Sequence, residues 1–190
     1  CDLARLRPYH TLYDPMCGSG TILIEGAMMV HNIAPGVNRY FSAERWDVID
    51  EKIWADERNR ARDLVNYDTD FIAYGSDIDE DAIEIAKINA KRAGVERKIK
   101  FEKADIRNFE PKSEKGTVIC NPPYGERLLD IEEAQKLYKI MGEKFIRKHG
   151  WSYYVISPSE EFEKEFGRKA DKRRKLYNGM IKCQLFMYFK

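Results

Sequence analysis

Residues 14–21, Asp-Pro-Met-Cys-Gly-Ser-Gly-Thr, decide how this chain folds. A short apolar pair, Leu12-Tyr13, precedes them, and residues 22–30 after them are apolar, as in a helix packed on a sheet. The two glycines allow a tight turn and close backbone approach between a strand and a helix. The full Gly-x-Gly-x-x-Gly spacing of a dinucleotide site and the lysine of a P-loop are both missing. The stretch predicts a strand–turn–helix unit that can hold an anionic group at the helix N-terminus, or else a tight turn without a ligand.

Composition limits the class of protein. The chain has 190 residues, 43% of them hydrophobic and 34% charged, which is typical of about one globular domain. No apolar run approaches the ~20 residues of a membrane helix, and no secretory signal is recognisable. The four cysteines are far apart and fit no zinc spacing, so we expect reduced thiols, no metal, no membrane partner and a cytoplasmic location.

The charge distribution restricts how the chain could bind nucleic acid. A formal net charge of +1 excludes electrostatic binding by the chain as a whole, so a local patch or another domain would have to supply phosphate affinity. The densest basic cluster consists of Arg168, Lys169, Lys172, Arg173, Arg174 and Lys175. This cluster predicts either phosphate contacts or a solvated charged face.

Strand-like and helix-like segments alternate along the chain, which favours an α/β fold with a mainly parallel sheet. Further strands are expected at residues 71–74, 99–101, 117–120 and 153–156. Further helices are expected from Asp79 or Asp81 to Ala93 and over residues 130–148. Residues 172–177 and 180–189 flank Asn178-Gly179, which predicts a hairpin. We therefore expect a Rossmann-like, mainly parallel seven-stranded sheet with a C-terminal antiparallel hairpin and helices on both faces.

Two segments depart from this alternation. Residues 34–70 are too long for an ordinary connection, and apolar residues at helical spacing over residues 46–65 predict an inserted helix after a structured loop at 34–41. Residues 3–6 are typical of the end of a helix, and no start signal precedes them. We therefore expect a missing N-terminal portion.

Acidic residues follow two of the predicted strands, where open α/β sheets bind ligands. Asp77 can accept hydrogen bonds from ribose hydroxyls, while Asp79 competes for that role but is equally suited to cap a helix. Asp105 could accept a hydrogen bond from an adenine amino group, with Ile78 and Ile106 on either side of the ring. A solvated turn residue is the alternative for Asp105. These positions predict an adenosine across the ends of neighbouring strands.

Residues 121–124, Asn-Pro-Pro-Tyr, end another predicted strand. The side-chain oxygen of Asn121 and the carbonyl of Pro122 can accept both N–H bonds of a planar amino group, which would favour a pyramidal nitrogen able to attack a sulfonium methyl in line. Pro122 and Pro123 stiffen the segment and remove competing donors. Tyr124 can stack on a base, a contact worth ~1–3 kcal/mol. The alternative is a Pro-Pro turn without a ligand.

Together these motifs resemble the catalytic domain of THUMP-associated class I S-adenosylmethionine-dependent RNA methyltransferases, especially bacterial enzymes that modify guanine N2 in large-subunit ribosomal RNA. Residues 33–39, Phe41, Trp46, residues 75–79 and residues 175–179 also match. The resemblance implies a catalytic domain over residues 1–190, the cofactor S-adenosyl-L-methionine and an RNA substrate. The expected cofactor-binding residues are Asp14, Met16, Cys17, Gly18, Ser19, Gly20, Thr21, Asp77, Ile78, Asp105 and Ile106, and the expected catalytic residues are Asn121, Pro122, Pro123 and Tyr124.

The chain departs from the family in lacking the N-terminal THUMP domain, so we expect RNA affinity to need that missing region. Other functions remain open. A protein glutamine methyltransferase or a DNA adenine N6-methyltransferase would present a similar planar amino group to residues 121–124, and a nucleobase would have to be unpaired or flipped out to reach them. A non-catalytic cofactor-binding or RNA-binding module would have no need to keep both Asn121 and Tyr124.

Overall fold

The computed structural model of the chain describes residues 1–124 and 128–189. Within them, seven strands form one sheet in the order β3-β2-β1-β4-β5-β7-β6. The strands are β1 (Thr11–Asp14), β2 (Ile72–Asp77), β3 (Ile99–Lys103), β4 (Gly116–Cys120), β5 (Trp151–Ser157), β6 (Lys172–Asn178) and β7 (Ile181–Tyr188). Strands β1 to β5 are parallel to one another, and β7 is antiparallel to both β5 and β6. The predicted mainly parallel sheet with a terminal hairpin is confirmed.

Helices cover both faces of the sheet, as predicted. They are α1 (Thr21–Val30), α2 (Glu51–Asp63), α3 (Glu80–Arg92), α4 (Leu128–Lys144) and α5 (Phe162–Phe166), with short 3₁₀ turns at Asp2–Ala4, Ser42–Arg45, Glu96–Lys98 and Ile106–Asn108. Helices α1 and α3 pack in one hydrophobic cluster, whereas α4 and α5 pack in the other.

Alternate residues of one strand supply the two clusters. In β1, the side chain of Leu12 packs with α1 and α3 on one face, and that of Tyr13 packs with α4 on the other. All five residues of β4 are buried, as expected for a central strand of a parallel sheet covered on both faces. Side chains of both clusters therefore cover the two central strands β1 and β4.

The start and end of α3 follow from its sequence. The Asp79 side chain accepts a hydrogen bond from the backbone N–H of Asp81 at 2.9 Å, which makes Asp79 the N-cap. The helix stops before Gly94, whose φ of +74° is a left-handed conformation that glycine adopts without strain. Of the two roles predicted for Asp79, the structure thus shows the helix cap.

The predicted centre of the terminal hairpin is wrong by one residue. Asn178 pairs with Ile181, so the two loop residues are Gly179 and Met180 rather than Asn178 and Gly179. Gly179, the first of them, has a φ of +59°. The pairing of Leu176 with Cys183 sets this register, because Cys183 is buried and a shift by one residue would turn it to solvent.

Two helices have an end that differs from the prediction. The inserted helix α2 begins at Glu51 rather than at Trp46, because the Asp50 side chain caps it by accepting from the backbone N–H of Lys52 at 2.8 Å. Helix α4 ends at Lys144 rather than at residue 148, and Arg168 donates to the carbonyl of Phe145 just beyond that end at 2.5 Å.

The inserted helix α2 and the N-terminal turn are elements at the surface or at the start of the chain. None of the 13 residues of α2 is buried. The segment that was predicted to end a helix near the N-terminus is a single 3₁₀ turn, Asp2–Ala4, which ends at Arg5 in a left-handed conformation. Among the helices of the described residues, none is long and apolar enough to cross a membrane.

The contact between α4 and α5 gives a stability prediction. A Cβ atom at Gly142 would lie 2.0 Å from the backbone carbonyl oxygen of Phe166, so the two helices must separate to accept Ala. We expect Gly142→Ala to lower the free energy of unfolding by ~1–3 kcal/mol in urea titrations, even though Ala favours a helix over Gly by up to about 1 kcal/mol. The control Glu143→Ala changes an exposed neighbour and should stay within about 0.5 kcal/mol. A stabilised Gly142→Ala protein would contradict the close approach.

Candidate active site

The glycine turn between β1 and α1 is tied to the end of β2 by hydrogen bonds. The backbone N–H of Cys17 donates to the carbonyl of Ser76 at 2.9 Å, and the N–H of Gly18 donates to Oδ2 of Asp77 at 2.9 Å. Within the turn, the N–H of Gly20 donates to the carbonyl of Cys17 at 2.8 Å. The turn and the acidic residue therefore form one unit at the same edge of the sheet.

Glycine is required at position 20 for two reasons. Its φ is +82°, and a Cβ atom there would lie 3.1 Å from both Cβ of Ala86 and Cζ of Phe101. Gly20 is also the N-cap of α1 and has no side chain that could occupy the first backbone N–H groups of the helix. Gly18, with a φ of +50°, has open space around it, so its requirement is conformational only.

The other predicted residues of the turn differ in exposure. Ser19 and Thr21 are exposed, and their hydroxyl oxygens lie 3.2 Å apart. Met16 is partly buried against the cluster that contains α4 and α5. Ser19 is also held from α3, because the side-chain amide of Asn89 donates to its carbonyl at 3.1 Å. Sequence reasoning missed Asn89, although a polar residue beside the buried Ala90 is a signal that could have been noticed.

The two oxygens of Asp77 are oriented by backbone groups. Oδ2 accepts from Gly18, as described, and Oδ1 accepts from the N–H of Asp79 at 3.1 Å. Each carboxylate oxygen has a second acceptor position, so Asp77 can still receive hydroxyl groups of a ligand. Next to it, Ile78 is 67% exposed.

Asp14 is a buried acid at the end of β1. Its side chain is 2% exposed, and Oδ1 accepts from the N–H of Met16 at 3.2 Å. Burial, reinforced by the negative charge of Asp77, raises the pKa of Asp14 to about 7, although the bond from Met16 opposes the rise. The carboxyl group therefore takes up a proton close to neutral pH.

The cysteines near Asp14 are not activated nucleophiles. Burial, followed by the charge of Asp14, raises the pKa of both the Cys17 and the Cys120 thiol. All four cysteines of the chain are free thiols. Among the described residues, no group of three or more His, Cys, Asp or Glu side chains could hold a metal ion.

Asp105 lies at the end of β3, next to the end of β2. The N–H of Ala104 donates to the carbonyl of Asp77 at 2.9 Å, which joins the two strand ends. Asp105 caps a 3₁₀ turn by accepting from the N–H of Arg107 at 2.8 Å, and its Oδ2 lies 3.1 Å from the Arg107 guanidinium. Ile106 is only 4% exposed, so most of its side chain packs into the core rather than into the crevice.

The segment after β4 places an amide and a phenol side by side. Asn121 and Pro123 are exposed, Pro122 is buried, and Tyr124 is half-buried. The hydroxyl of Tyr124 donates to the side-chain oxygen of Asn121. That oxygen has a second lone pair, which remains available to an incoming N–H group.

Tyr124 also contacts the terminal hairpin. The side-chain amide of Asn178 donates to the Tyr124 hydroxyl at 3.4 Å, across 54 positions of sequence. Burial raises the pKa of Tyr124, so the phenol stays protonated and keeps its donor role at neutral pH. The sequence predicts Asn178 only as a turn residue, and no local signal indicates its contact with Tyr124.

The strand order brings these groups together. Strand β1 lies between β2 and β4, and all of them are parallel, so their carboxyl ends meet at one edge. The groups that lie along that edge are, in order, Asp105, Asp77, the glycine turn and Asn121. The chain reverses its order at β1, and a crevice at such a reversal is where open α/β sheets bind ligands.

Comparisons with known proteins agree with this architecture. The family model of the RMKL-like methyltransferase domain (UPF0020) matches residues 1–186. YpsC of Bacillus subtilis (strain 168), named as a candidate RNA methyltransferase, is 41% identical over 187 residues, which are 98% of this chain and 49% of YpsC. The ribosomal RNA large subunit methyltransferase K/L of Shewanella sp. (strain W3-18-1) is 40% identical over 183 residues, which are 94% of this chain and 26% of that protein.

A solved structure shares the fold closely. The crystal structure of SMU.472, a candidate methyltransferase complexed with SAH, superposes with a TM-score of 0.91 and 42% identity, covering 98% of this chain and 50% of that one. The chain thus spans about half the length of YpsC and about a quarter of the K/L protein. The resemblance noticed in the sequence and the Rossmann-like fold are both confirmed.

The buried acid gives a prediction of pH dependence. In the unfolded chain Asp14 titrates at its ordinary value of 3.8, and in the folded chain at about 7, so the folded state binds the proton more tightly between these values. This group therefore lowers the free energy of unfolding as the pH rises from about 4 to 7, by up to roughly 4 kcal/mol. Asp14→Asn keeps the acceptor for Met16 and removes the charge. We expect this variant to gain stability over the wild type at about pH 8 and little at about pH 4.

Urea unfolding across this pH range measures the effect. Asp56→Asn, at an exposed position of α2, is the matched control and should leave the pH profile unchanged. Parallel profiles of Asp14→Asn and the wild type would contradict the raised pKa.

Proposed function

We propose that this chain, which belongs to the RMKL-like methyltransferase domain family, transfers a methyl group from S-adenosyl-L-methionine to an exocyclic nitrogen of an RNA base. The preferred target is guanine N2 of large-subunit ribosomal RNA, as the resemblance of its motifs implies. The observation that carries the proposal is the position of the glycine turn and residues 121–124 on neighbouring strands, at one edge of the sheet. The names of YpsC and of the K/L protein support an RNA substrate, and the SAH complex of SMU.472 supports the cofactor.

The cofactor would lie across the ends of β1, β2 and β3. The N–H groups at the start of α1, which no side chain caps, suit a carboxylate, and Gly18 and Gly20 let a ligand approach the backbone. Asp77 suits two ribose hydroxyls, with Ile78 as a wall of the adenine pocket and Asp105 as the acceptor for the adenine amino group. Because Ile106 is almost fully buried, we assign it only a supporting role beneath Asp105.

In this mechanism the chain positions the reacting amino group and supplies no general base. The cofactor provides a methyl group on a sulfonium centre, which is electrophilic. Asn121 Oδ1, with its second lone pair, and the carbonyl of Pro122 would accept the two N–H groups of the base and hold the nitrogen towards the methyl group. The new N–C bond forms as the C–S bond breaks, its electron pair returns to sulfur, and the methylated nitrogen then loses its proton to solvent. Tyr124 keeps its proton, so it orients Asn121 and does not act as a base.

A ribosomal RNA substrate would place the reaction in the cytoplasm. In the relatives, the sequence outside the part that matches this chain, about half of YpsC and about three quarters of the K/L protein, would contribute to RNA affinity. A glutamine side chain or a DNA adenine carries the same kind of amino group, so the product has to be identified. RNase should release the transferred label and protease should not.

The role of Asp77 gives a binding prediction. We expect Asp77→Ala to weaken binding of S-adenosylhomocysteine at least tenfold in calorimetric titrations, because it removes the ribose acceptor and the partner of Gly18. Asp81→Ala removes the same charge from the first turn of α3, where that side chain is exposed, and is the matched control. Equal affinities of the two variants for S-adenosylhomocysteine would show that Asp77 does not bind the cofactor.

Asn121 gives a prediction for the reaction. Asn121→Ala should lower the rate of methyl transfer to an unmodified large-subunit ribosomal RNA transcript by about 100-fold or more, because the amino group loses its orientation. Its affinity for S-adenosylhomocysteine should stay within a few-fold of the wild type. The control Asn59→Ala lies on α2 and should keep full activity. Full activity of Asn121→Ala would refute the positioning mechanism.

A further inference from the structure

Several cations near the C-terminus fall into two groups in the structure. The Arg168 guanidinium lies 4.8 Å from the ring centroid of Tyr188 and donates to the carbonyl of Phe145 at 2.5 Å. Arg173 forms an ion pair with Glu163, to which its Nε donates at 2.9 Å. Contacts within the chain therefore already engage these two cations.

The second group is exposed on the terminal hairpin. Lys172, Arg174 and Lys175 lie on β6, and Lys182 lies on β7. Within the part of the chain that the structure describes, none of these four forms an ion pair with a carboxylate. Strand β6 is the outer strand of the sheet, and no element among the described residues covers its free edge, whereas Lys182 lies on the neighbouring strand β7.

The hairpin concentrates the positive charge of the chain. Residues 172–182 hold five of the 33 Lys and Arg residues and none of the 32 Asp and Glu residues, which leaves a formal charge of −4 on the rest. Although the net charge of the whole chain is +1, residues 172–182 thus form a local cationic strip. A polyanion would be attracted to this strip and repelled by the remaining surface on average.

The cationic strip leads to the candidate active site. At the tip of the hairpin, Asn178 donates to the Tyr124 hydroxyl at 3.4 Å. Beside it, the side chains of Tyr177 and Met180 are 64% and 98% exposed. The ammonium group of Lys175 lies 5.1 Å from the Tyr177 ring centroid. An exposed aromatic ring among cations is the combination that stacks bases and binds phosphates of single strands.

We propose that the exposed cations of this hairpin, on β6 and at Lys182 of β7, bind the phosphate backbone of the RNA substrate and lead the target nucleotide to residues 121–124. This inference rests on the proposed function, because it takes RNA as the substrate. A single strand fits best, since the target base must be unpaired to reach Asn121. The exposed Tyr177 at the tip then receives a neighbouring base.

The test compares two charge-matched triple variants. The hairpin variant is Lys172→Gln/Arg174→Gln/Lys182→Gln. The control, Lys91→Gln/Arg92→Gln/Arg97→Gln, removes three exposed cations near β3, at the opposite edge of the sheet. Fluorescence anisotropy measures the affinity of each protein for a labelled single-stranded RNA of roughly 12 nucleotides, between about 50 and 200 mM salt.

The salt dependence separates phosphate contacts from other effects. Each phosphate contact to a single strand contributes about 0.7 to the slope of log affinity against log salt, so loss of three contacts should lower the slope by about 2. The control should keep the wild-type slope. An unchanged slope in the hairpin variant, an equal loss in both variants, or no RNA binding by the wild type would overturn the proposal.

Methyl transfer separates this inference from the proposed function. If the hairpin acts as proposed, its variant raises the KM for RNA and keeps the wild-type affinity for S-adenosylhomocysteine. RNA methylation with an unchanged KM in the hairpin variant would refute the hairpin role alone. RNA binding that depends on the hairpin, without any methyl transfer to RNA, would refute the proposed function alone.

Discussion

The hydrogen bond from the Gly18 backbone to the Asp77 carboxylate, 2.9 Å long, is the interaction on which the rest of the site depends. It joins the turn after β1 to the end of β2, and the left-handed conformation of Gly18 is needed to make it. The same bond keeps one oxygen of Asp77 fixed while leaving acceptor positions at the surface. It also holds a negative charge close to Asp14, whose pKa is raised first by burial and then further by this charge.

The acceptors of the crevice are held by partners within the chain. Asp77 accepts from two backbone N–H groups, Asp105 accepts from Arg107, and Asn121 accepts from the hydroxyl of Tyr124. Each partner fixes the direction of an oxygen before any ligand arrives, so little reorganisation is required on binding. Because every such oxygen has more than one lone pair, orientation and ligand binding do not exclude each other.

Local patterns predicted most of the fold, since strands, caps and the hairpin each depend on a few adjacent residues. What they could not predict depends on distant partners. The contact between Asn178 and Tyr124 joins positions 54 residues apart, and the hairpin register depends on the burial of Cys183 against the sheet. The different roles of Asp77 and Asp79 likewise depend on a distant partner, because Asp77 accepts from Gly18 in the turn after β1, while Asp79 caps α3. Ile106 follows a strand just as a ligand residue would, yet it faces the core.

The free edge of β6 has a second consequence, which concerns self-association. An outer strand exposes backbone N–H and C=O groups that can pair with a strand of another molecule, and such pairing leads to aggregation. For a second strand to pair there, the side chains of Lys172, Arg174 and Lys175 would have to lose their hydration. Under the proposed role, the cations that attract an RNA strand are also those that keep two copies of the sheet apart. Colloidal stability and substrate recognition would then constrain the same few positions.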